Sequence, residues 1–189
     1  MPLGLRRDHL AEGRGRGVLQ GVRLGPAVER RQRRTTGDAG RHSALRTGDA
    51  TDRTVPFHKL TQWLTYSLLE PLETAGLTVV DLDELTALPE YRNGGLLVDL
   101  GVIRPRAPVD PEAPYDVASE LIVEWRALTV ALLDRVADGL RQRLGRDATS
   151  MPLAKILEGG TWAAGRRLAR ERRADASPPV KVVSDGTVF

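Results

Sequence analysis

The chain has 189 residues and no cysteine, which is enough for one domain with its own core and excludes a disulfide-dependent fold. It has no apolar run long enough to span a bilayer, and its N-terminus lacks the apolar core of a secretory signal, so we expect a soluble cytoplasmic protein without membrane contact. Residues 1–54 hold 12 of the 28 Lys and Arg and 6 of the 25 Asp and Glu, so this segment carries a net +6 and residues 55–189 a net −3. The excess basicity is therefore confined to the first segment.

Residues 1–54 contain nine glycines, no lysine and no aromatic residue. A segment without a sustained apolar period cannot bury enough surface to offset its ordering entropy, so we predict that it is largely disordered. It is an Arg/Gly arm for RNA, a solvated tail, or a stretch foreign to the natural protein that a wrong start or a shifted reading frame introduced. Arginine without lysine or aromatic interleaving favours the last of these and argues against a nucleic-acid role.

The sequence changes character at Val55-Pro56, and residues 55–189 are predicted to form a helical domain. The first predicted helix lies within FHKLTQWLTYSLLEPLETAG. Pro71 is expected to kink or end this helix, and Gly76 marks its exit. Its spacing predicts an apolar face and a polar side. The apolar face comprises Phe57, Leu60, Trp63, Leu64, Leu68 and Leu72, and the opposite side carries Lys59, Gln62, Tyr66 and Glu73.

The stretch from Pro89 to Gly95, PEYRNGG, is predicted to be a sharply bent connection between two short amphipathic segments, because proline and paired glycines disfavour a helix interior. It places a carboxylate, a phenol, a guanidinium and an amide at four consecutive positions, Glu90 to Asn93. Such a cluster between buried segments suits a small-molecule site, and it also suits an ordinary loop with a helix cap, which is the commoner case.

A connector with four prolines, residues 104–114, leads to the longest predicted helix, from Asp116 as N-cap to Leu144, with Gly145 as its stop. A short helix opening at Ser150-Pro152 and a second one starting at Thr161 follow, and then an extended tail with a turn at 184–186. The pattern predicts a mainly α fold. Ile122 widens the apolar stripe of the long helix, so this helix is expected to run through the core. The stripe is Val117, Leu121, Trp125, Leu128, Leu132, Val136, Leu140 and Leu144.

Three carboxylates, Asp116, Glu120 and Glu124, recur every four residues and form one line along the long helix. The ordinary interpretation is a solvated acidic face. Glu124 is the exception because it lies between apolar residues, and a buried glutamate there would need Arg126 or Arg92 as its partner.

No metal site or cofactor site is predicted. The chain has three histidines, His9, His42 and His58, without ligand spacing, and it lacks thiols and a glycine-rich phosphate loop. Gly160-Thr161 before a helix would suit an anion, but N-capping is the predicted use.

Five blocks in residues 55–189 resemble the uracil-catabolism protein family of fungi and bacteria. They are FHKLTQWLTYSLLEPL, LTALPEYRNGGLLVDLGV, SELIVEWRALTVALLDRVA, LEGGTWAAGR and SDGTVF. Family members are longer, so the chain resembles their C-terminal portion. That resemblance implies that the chain is truncated. We then expect it to expose apolar surface that the N-terminal part of the family protein normally covers.

The same residues are distantly similar to queuosine salvage N-glycosidases, whose fold is related to helical DNA glycosylases. The resemblance implies that Glu90 and Glu124 are catalytic, although those enzymes have aspartate at the position of Glu90. The remaining implied site residues bind substrate or brace the pocket: Phe57, His58, Lys59, Gln62, Tyr91, Arg92 and Arg126.

Together these resemblances imply a role in uracil catabolism, with hydrolysis of an N-glycosidic bond in a nucleoside-type or ribosyl-urea compound, phosphorylated or not. A carboxylate beside the anomeric carbon would stabilise the oxocarbenium-like transition state, and Arg or Lys would hold a phosphate. The alternative is a non-catalytic helical protein that scaffolds the enzymes of uracil degradation.

Overall fold

The computed structural model describes residues 39–46, 48–82, 85–184 and 189, and in these residues the chain is mainly α-helical, as predicted. The predictions for residues 1–38 and for most of the turn at 184–186 lie outside the described residues. In chain order the elements are β1 (Ala39–Arg41), β2 (Thr54–Pro56), α1 (Lys59–Thr74), α2 (Tyr91–Asp99), β3 (Tyr115–Asp116), α3 (Glu120–Leu144), α4 (Leu153–Ile156), a π-helical segment (Leu157–Trp162), α5 (Ala163–Arg172) and β4 (Val182–Val183).

Short strands pair at two places next to α3. β1 and β2 run antiparallel, and β3 and β4 run parallel. The β1–β2 ribbon lies against α3, since a Cβ on Gly40 would come within 2.3 Å of Val123 Cγ2, and the backbone N–H of Ser43 donates to Glu120 Oε1 at 2.8 Å. Regular structure therefore includes residues on the N-terminal side of the predicted boundary at residue 54.

Helix α1 runs through Pro71 to Thr74, and Gly76 follows it with a φ of +80°, as the predicted exit requires. The predicted apolar face of α1 is mostly exposed, although such a face ordinarily packs against the core. Trp63 and Leu64 are 56% and 53% exposed, whereas Lys59 and Gln62 are 7% and 1% exposed.

The polar side of α1 is buried because it has hydrogen-bonding partners in the segment before α2. Gln62 Nε2 donates to Thr86 Oγ1 at 3.0 Å, and the Tyr66 hydroxyl donates to the carbonyl oxygen of Thr86 at 2.8 Å. A helix face is buried where another element covers it, and the apolar period does not show which face that is.

Helix α3 ends at Gly145, which adopts a φ of +61°, as predicted. Its start was predicted too early: Ser119 is the N-cap, and Asp116 belongs to β3. The predicted stripe is only partly confirmed: Val117, Leu121 and Leu140 pack partly buried against the core clusters, whereas Val136 and Leu144 are exposed. The fully buried line is displaced by one residue from most of the stripe and includes polar side chains. Apart from Trp125 and Ile122, which the prediction included, the buried residues are Val123, Arg126, Thr129, Leu133 and Ala137.

Two apolar clusters pack along α3. Near its C-terminal half, Leu133 and Ala137 meet the residues of α4 and the π-helical segment, together with Ala87. Near its N-terminal half, Trp125 packs edge-on against Phe189 at 4.7 Å between ring centroids, beside Val180. Helix α2 contacts both α3 and α5, and the N-terminal half of α2 makes close approaches to each, with Gly94 against Trp125 and Arg92 against Gly165.

The predicted break at Gly160-Thr161 is absent, since the described backbone is helical without interruption from Leu153 to Arg172. The two glycines, Gly159 and Gly160, lie in the π-helical segment. Thr161 is not an N-cap: its hydroxyl donates to Asn93 Oδ1 at 3.0 Å, and this buried bond ties the π-helical segment to α2. A π-helical turn inside a helix often marks a functional region.

Candidate functional site

Glu90 is the N-cap of α2. It has extended φ and ψ angles, and its Oε2 accepts the backbone N–H groups of Arg92 at 2.9 Å and Asn93 at 3.2 Å. The preceding Pro89 is fully buried and keeps the chain extended up to the cap. The sequence cluster therefore does form a helix cap. The cap fixes Oε2, and Oε1 takes part in neither of the two capping bonds.

Two basic residues accompany this buried carboxylate. Arg92 Nε lies 3.9 Å from Glu90 Oε1, and the positive charge of Lys59 acts on the same group. Burial nevertheless raises the pKa of Glu90 above its ordinary value, with the two backbone hydrogen bonds and the two cations acting in the opposite direction. Among the described residues Glu90 thus combines burial, a perturbed pKa and a nearby guanidinium, which is typical of a functional carboxylate.

The prediction of a bent connection after Glu90 was wrong, because Gly94 and Gly95 lie inside α2 and are buried. A Cβ on Gly94 would come within 2.6 Å of Thr129 Oγ1 and 2.8 Å of Trp125 Nε1, and one on Gly95 within 3.1 Å of Pro179. The glycines are needed for close packing here, which outweighs their low helix propensity.

Arg92 is surrounded by aromatic groups and by a second arginine. Its Nε donates to the Tyr91 hydroxyl at 3.1 Å, and its guanidinium lies 5.5 Å from the centroid of the Trp162 ring. The guanidinium of Arg166 lies 3.9 Å from the same ring. One indole therefore contacts two guanidinium groups, one from α2 and one from α5.

Tyr91, Arg92 and Arg166 border a groove of about 550 Å³ between α2, α5 and the segment that follows α5. Glu90, which precedes Tyr91, is not itself among the described lining residues. Arg173 closes one wall through a bidentate ion pair with Asp99, with distances of 2.8 and 2.6 Å. The described lining residues comprise Tyr91, Arg92, Gly95, Asp99, Gly165, Arg166, Ala169, Arg170, Arg173, Asp175, Ala176, Ser177, Pro178, Pro179, Val182, Ser184 and Phe189.

The predicted residues before and within α1 do not line this groove. The guanidinium of Arg126 lies 3.7 Å from the centroid of the Phe57 ring, and Arg126 is 1% exposed. His58 adopts a φ of +52° as the N-cap of α1, without a side-chain capping bond. Lys59 lies near Glu90, and Gln62 bonds to Thr86. The fold therefore brings Lys59, Glu90 and Arg92 together and pairs Phe57 with Arg126.

Glu124 is partly exposed, whereas a buried position was considered for it from the sequence. Its side chain is 43% exposed, and its carboxylate lies 3.9 Å from the exposed guanidinium of Arg106 in the proline-rich connector. Arg126, two residues further along α3, faces the core, because side chains at that spacing point to nearly opposite sides of a helix.

The sequence interpretation missed the contribution of α5 and of the segment after it. Arg166, Arg170 and Arg173 were not among the predicted site residues, yet they line the groove together with Arg92. The available signal was the spacing of Arg166 and Arg170 at i and i+4, which places both on one helix face. In the described residues, no group of three or more His, Cys, Asp or Glu side chains is arranged to hold a metal ion.

The geometry defines a mainly α-helical protein with a capped, buried glutamate beside an arginine-lined groove. The family described as "Protein of unknown function (DUF1688)" matches residues 25–189, and the chain belongs to this family. It is 48% identical over 141 residues to "Protein urg3" of Schizosaccharomyces pombe, and 42% identical over 156 residues to "Uracil catabolism protein 4" of Lachancea kluyveri. Each alignment covers 73% of this chain and 35% of the relative.

The family expected from the five sequence blocks is thereby confirmed, and the chain spans about a third of the length of these relatives. No solved structure matches the chain, so the expected likeness to DNA glycosylases stays a prediction. In the described residues, no helix combines the length and apolar character needed to cross a membrane.

Proposed function

We propose that the chain forms part of a hydrolase of uracil catabolism that cleaves an N-glycosidic bond in a ribosyl-urea or nucleoside-type compound. The pathway is supported by the similarity to a relative named for uracil catabolism. The reaction type is supported by Glu90, a 9% exposed carboxylate with a raised pKa at the N-terminus of α2. This single side chain is the observation that carries the proposal.

The reaction breaks the bond between the anomeric carbon and a nitrogen of the urea or base. The oxygen of a water molecule bonds to that carbon, and the nitrogen leaves with a proton. Positive charge develops at the anomeric carbon and the ring oxygen in the transition state, and a nearby carboxylate stabilises it.

Glu90 meets the requirements of this role in two respects. Oε2 is held by the backbone N–H groups of Arg92 and Asn93, so the carboxylate is preorganised. Oε1 lies 3.9 Å from Arg92 Nε, and the proposal gives it the role of orienting water or facing the sugar. Burial raises its pKa, which moves the group toward the range where one carboxyl both gives and takes a proton. Tyr91, the next residue, offers an aromatic ring for a base or ureide.

The test is release of urea from ribosyl-urea and its 5-phosphate by the purified chain, measured with a coupled ammonia assay. We expect Glu90→Gln to lower the rate by about 10²-fold or more, the typical contribution of a positioned acid or base. Glu124→Gln is the comparison on α3, and the proposal assigns it the smaller loss because its side chain is 43% exposed. Equal rates for wild type and Glu90→Gln, or no release above the protein-free rate, would contradict the proposal.

A second candidate function is a non-catalytic protein that scaffolds other enzymes of uracil degradation. The exposed apolar face of α1 favours it. Leu60, Trp63, Leu64 and Leu68 occupy one side of the helix and are each at least 45% exposed, and a contiguous exposed apolar surface is typical of an interaction site.

The two functions make opposite predictions for two single variants. If the chain is a scaffold, Leu64→Lys abolishes co-purification of co-expressed uracil-degradation enzymes, Glu90→Gln leaves it unchanged, and the purified chain releases no urea. If the chain is a hydrolase, Glu90→Gln lowers urea release by the chain alone about 10²-fold or more, and Leu64→Lys retains it.

A further inference from the structure

The groove between α2 and α5 is strongly basic. Four of its described lining residues are arginines and two are aspartates. Asp99 is fully engaged by Arg173, and Asp175 accepts the backbone N–H of Ser177 at 3.0 Å. The positive charges of Arg92, Arg166 and Arg170 therefore dominate the inside of the groove.

These three guanidinium groups are not neutralised within the described part of the chain. No carboxylate there lies within 4.0 Å of Arg166 or Arg170, and the Arg92 contact with Glu90 is a single long one of 3.9 Å. Arg92 and Arg166 contact the same Trp162 ring, and Arg166 and Arg170 are neighbours at i and i+4 on α5. Like charges held this close destabilise one another unless an anion lies between them.

We propose that Arg92, Arg166 and Arg170 bind the phosphate group of a phosphorylated sugar. This inference deepens the proposed function and depends on it for the identity of the sugar. Planar guanidinium groups bind phosphate through paired N–H donors, and here three arginines line one groove.

The size of the groove selects a small phosphate monoester. Its volume of about 550 Å³ lies within the range of small-molecule sites, and its walls also include the apolar side chains of Val182 and Phe189. With the phosphate on the α5 arginines, the sugar extends toward Tyr91, the residue that follows Glu90 at the start of α2.

The test is isothermal titration of the intact chain with ribose 5-phosphate, ribose and inorganic phosphate. We expect ribose 5-phosphate to bind at least tenfold more tightly than ribose, since the phosphate makes the charged contacts. Arg166→Ala and Arg170→Ala should each weaken ribose 5-phosphate binding at least tenfold. Arg167→Ala is the matched control on the same helix, because Arg167 is 77% exposed, pairs with Glu171 and does not line the groove.

Several outcomes would overturn the inference. These are equal affinity for ribose and ribose 5-phosphate, no binding of ribose 5-phosphate to the wild-type chain, or an equal loss in Arg167→Ala, which would indicate a general basic surface. Tighter binding of a short single-stranded RNA than of ribose 5-phosphate, lost in the same variants, would assign the groove to nucleic acid.

Circular dichroism of each variant separates unfolding from lost contacts, and Arg170 is exposed, so Arg170→Ala should keep the fold. The proposed function fails separately: binding of ribose 5-phosphate by wild type and Glu90→Gln, without urea release by either, would leave the phosphate site standing and remove the hydrolase.

Discussion

Gly165 of α5 lies directly against the main chain of Arg92 in α2. A Cβ at position 165 would come within 2.2 Å of the Arg92 carbonyl oxygen. The two helices cross at this point, and the crossing brings Arg166 and Arg170 to the groove that Tyr91 and Arg92 border. The arrangement of the site therefore depends on a residue without a side chain.

Gly165→Ala should separate α2 from α5. The clash is with backbone, which cannot rotate away as a side chain can, so we expect a loss of about 2–3 kcal/mol in the free energy of unfolding. Gly139→Ala is the matched control, because a Cβ there meets nothing within 4 Å, and it should stabilise α3 by about 0.5–1 kcal/mol. Urea denaturation of both variants measures the difference; equal stability of the two would contradict the crossing.

Glu90→Gln should change how stability depends on pH. Burial raises the pKa of Glu90, so the folded state favours the protonated form. The stability that this proton contributes is fully present below the ordinary pKa of a glutamate and is lost as the pH rises through the raised value. Glutamine stays neutral, so the unfolding free energy of Glu90→Gln relative to wild type should increase as the pH rises above the ordinary glutamate pKa of about 4.3.

Urea denaturation at several pH values gives this difference directly. Glu171→Gln, at a carboxylate that is 60% exposed, serves as the comparison. A difference for Glu90→Gln that stays flat or falls with rising pH would show that Glu90 is not held in the buried position.

Arg173→Ala should destabilise the wall of the groove. The substitution removes both guanidinium N–H donors that bind the Asp99 carboxylate. The Asp99 side chain is 6% exposed, so its charge is left buried. We expect a loss of about 3 kcal/mol, the low end for a broken buried pair because the Arg173 side chain is 22% exposed. Arg167→Ala, which removes an exposed ion pair on α5, should cost about 0.5 kcal/mol or less.

The double variant Asp99→Asn with Arg173→Ala checks the cause. It should be more stable than Arg173→Ala alone, since no unpaired charge then remains. If both lose the same stability, packing and not charge explains the effect.

Leu64→Lys should leave the free energy of unfolding nearly unchanged, although it places a charge on the apolar face of α1. Leu64 is 53% exposed, so we expect a change within about 0.5 kcal/mol by urea denaturation. Gln62→Ala, on the buried side of the same helix, should lower the free energy of unfolding by about 1–3 kcal/mol, because the Thr86 hydroxyl loses its hydrogen bond from Gln62. A larger loss for Leu64→Lys than for Gln62→Ala would reverse the assigned orientation of α1.

The sequence by itself determined the features that depend on near neighbours along the chain. The helical class, the exit of α1 at Gly76 and the end of α3 at Gly145 follow from apolar spacing and from glycines that accept a positive φ. The polar cluster from Glu90 to Asn93 was also visible, because its four functional groups are consecutive.

Only the tertiary structure decided which faces are buried and where glycine packs. Position 94, inside a helix, requires glycine because Trp125 and Thr129, more than thirty residues away, leave no room for a Cβ. The polar side of α1 is buried because Thr86 offers it hydrogen bonds. Such contacts join residues far apart in the chain, and their free energy exceeds the local preferences that a sequence pattern reports.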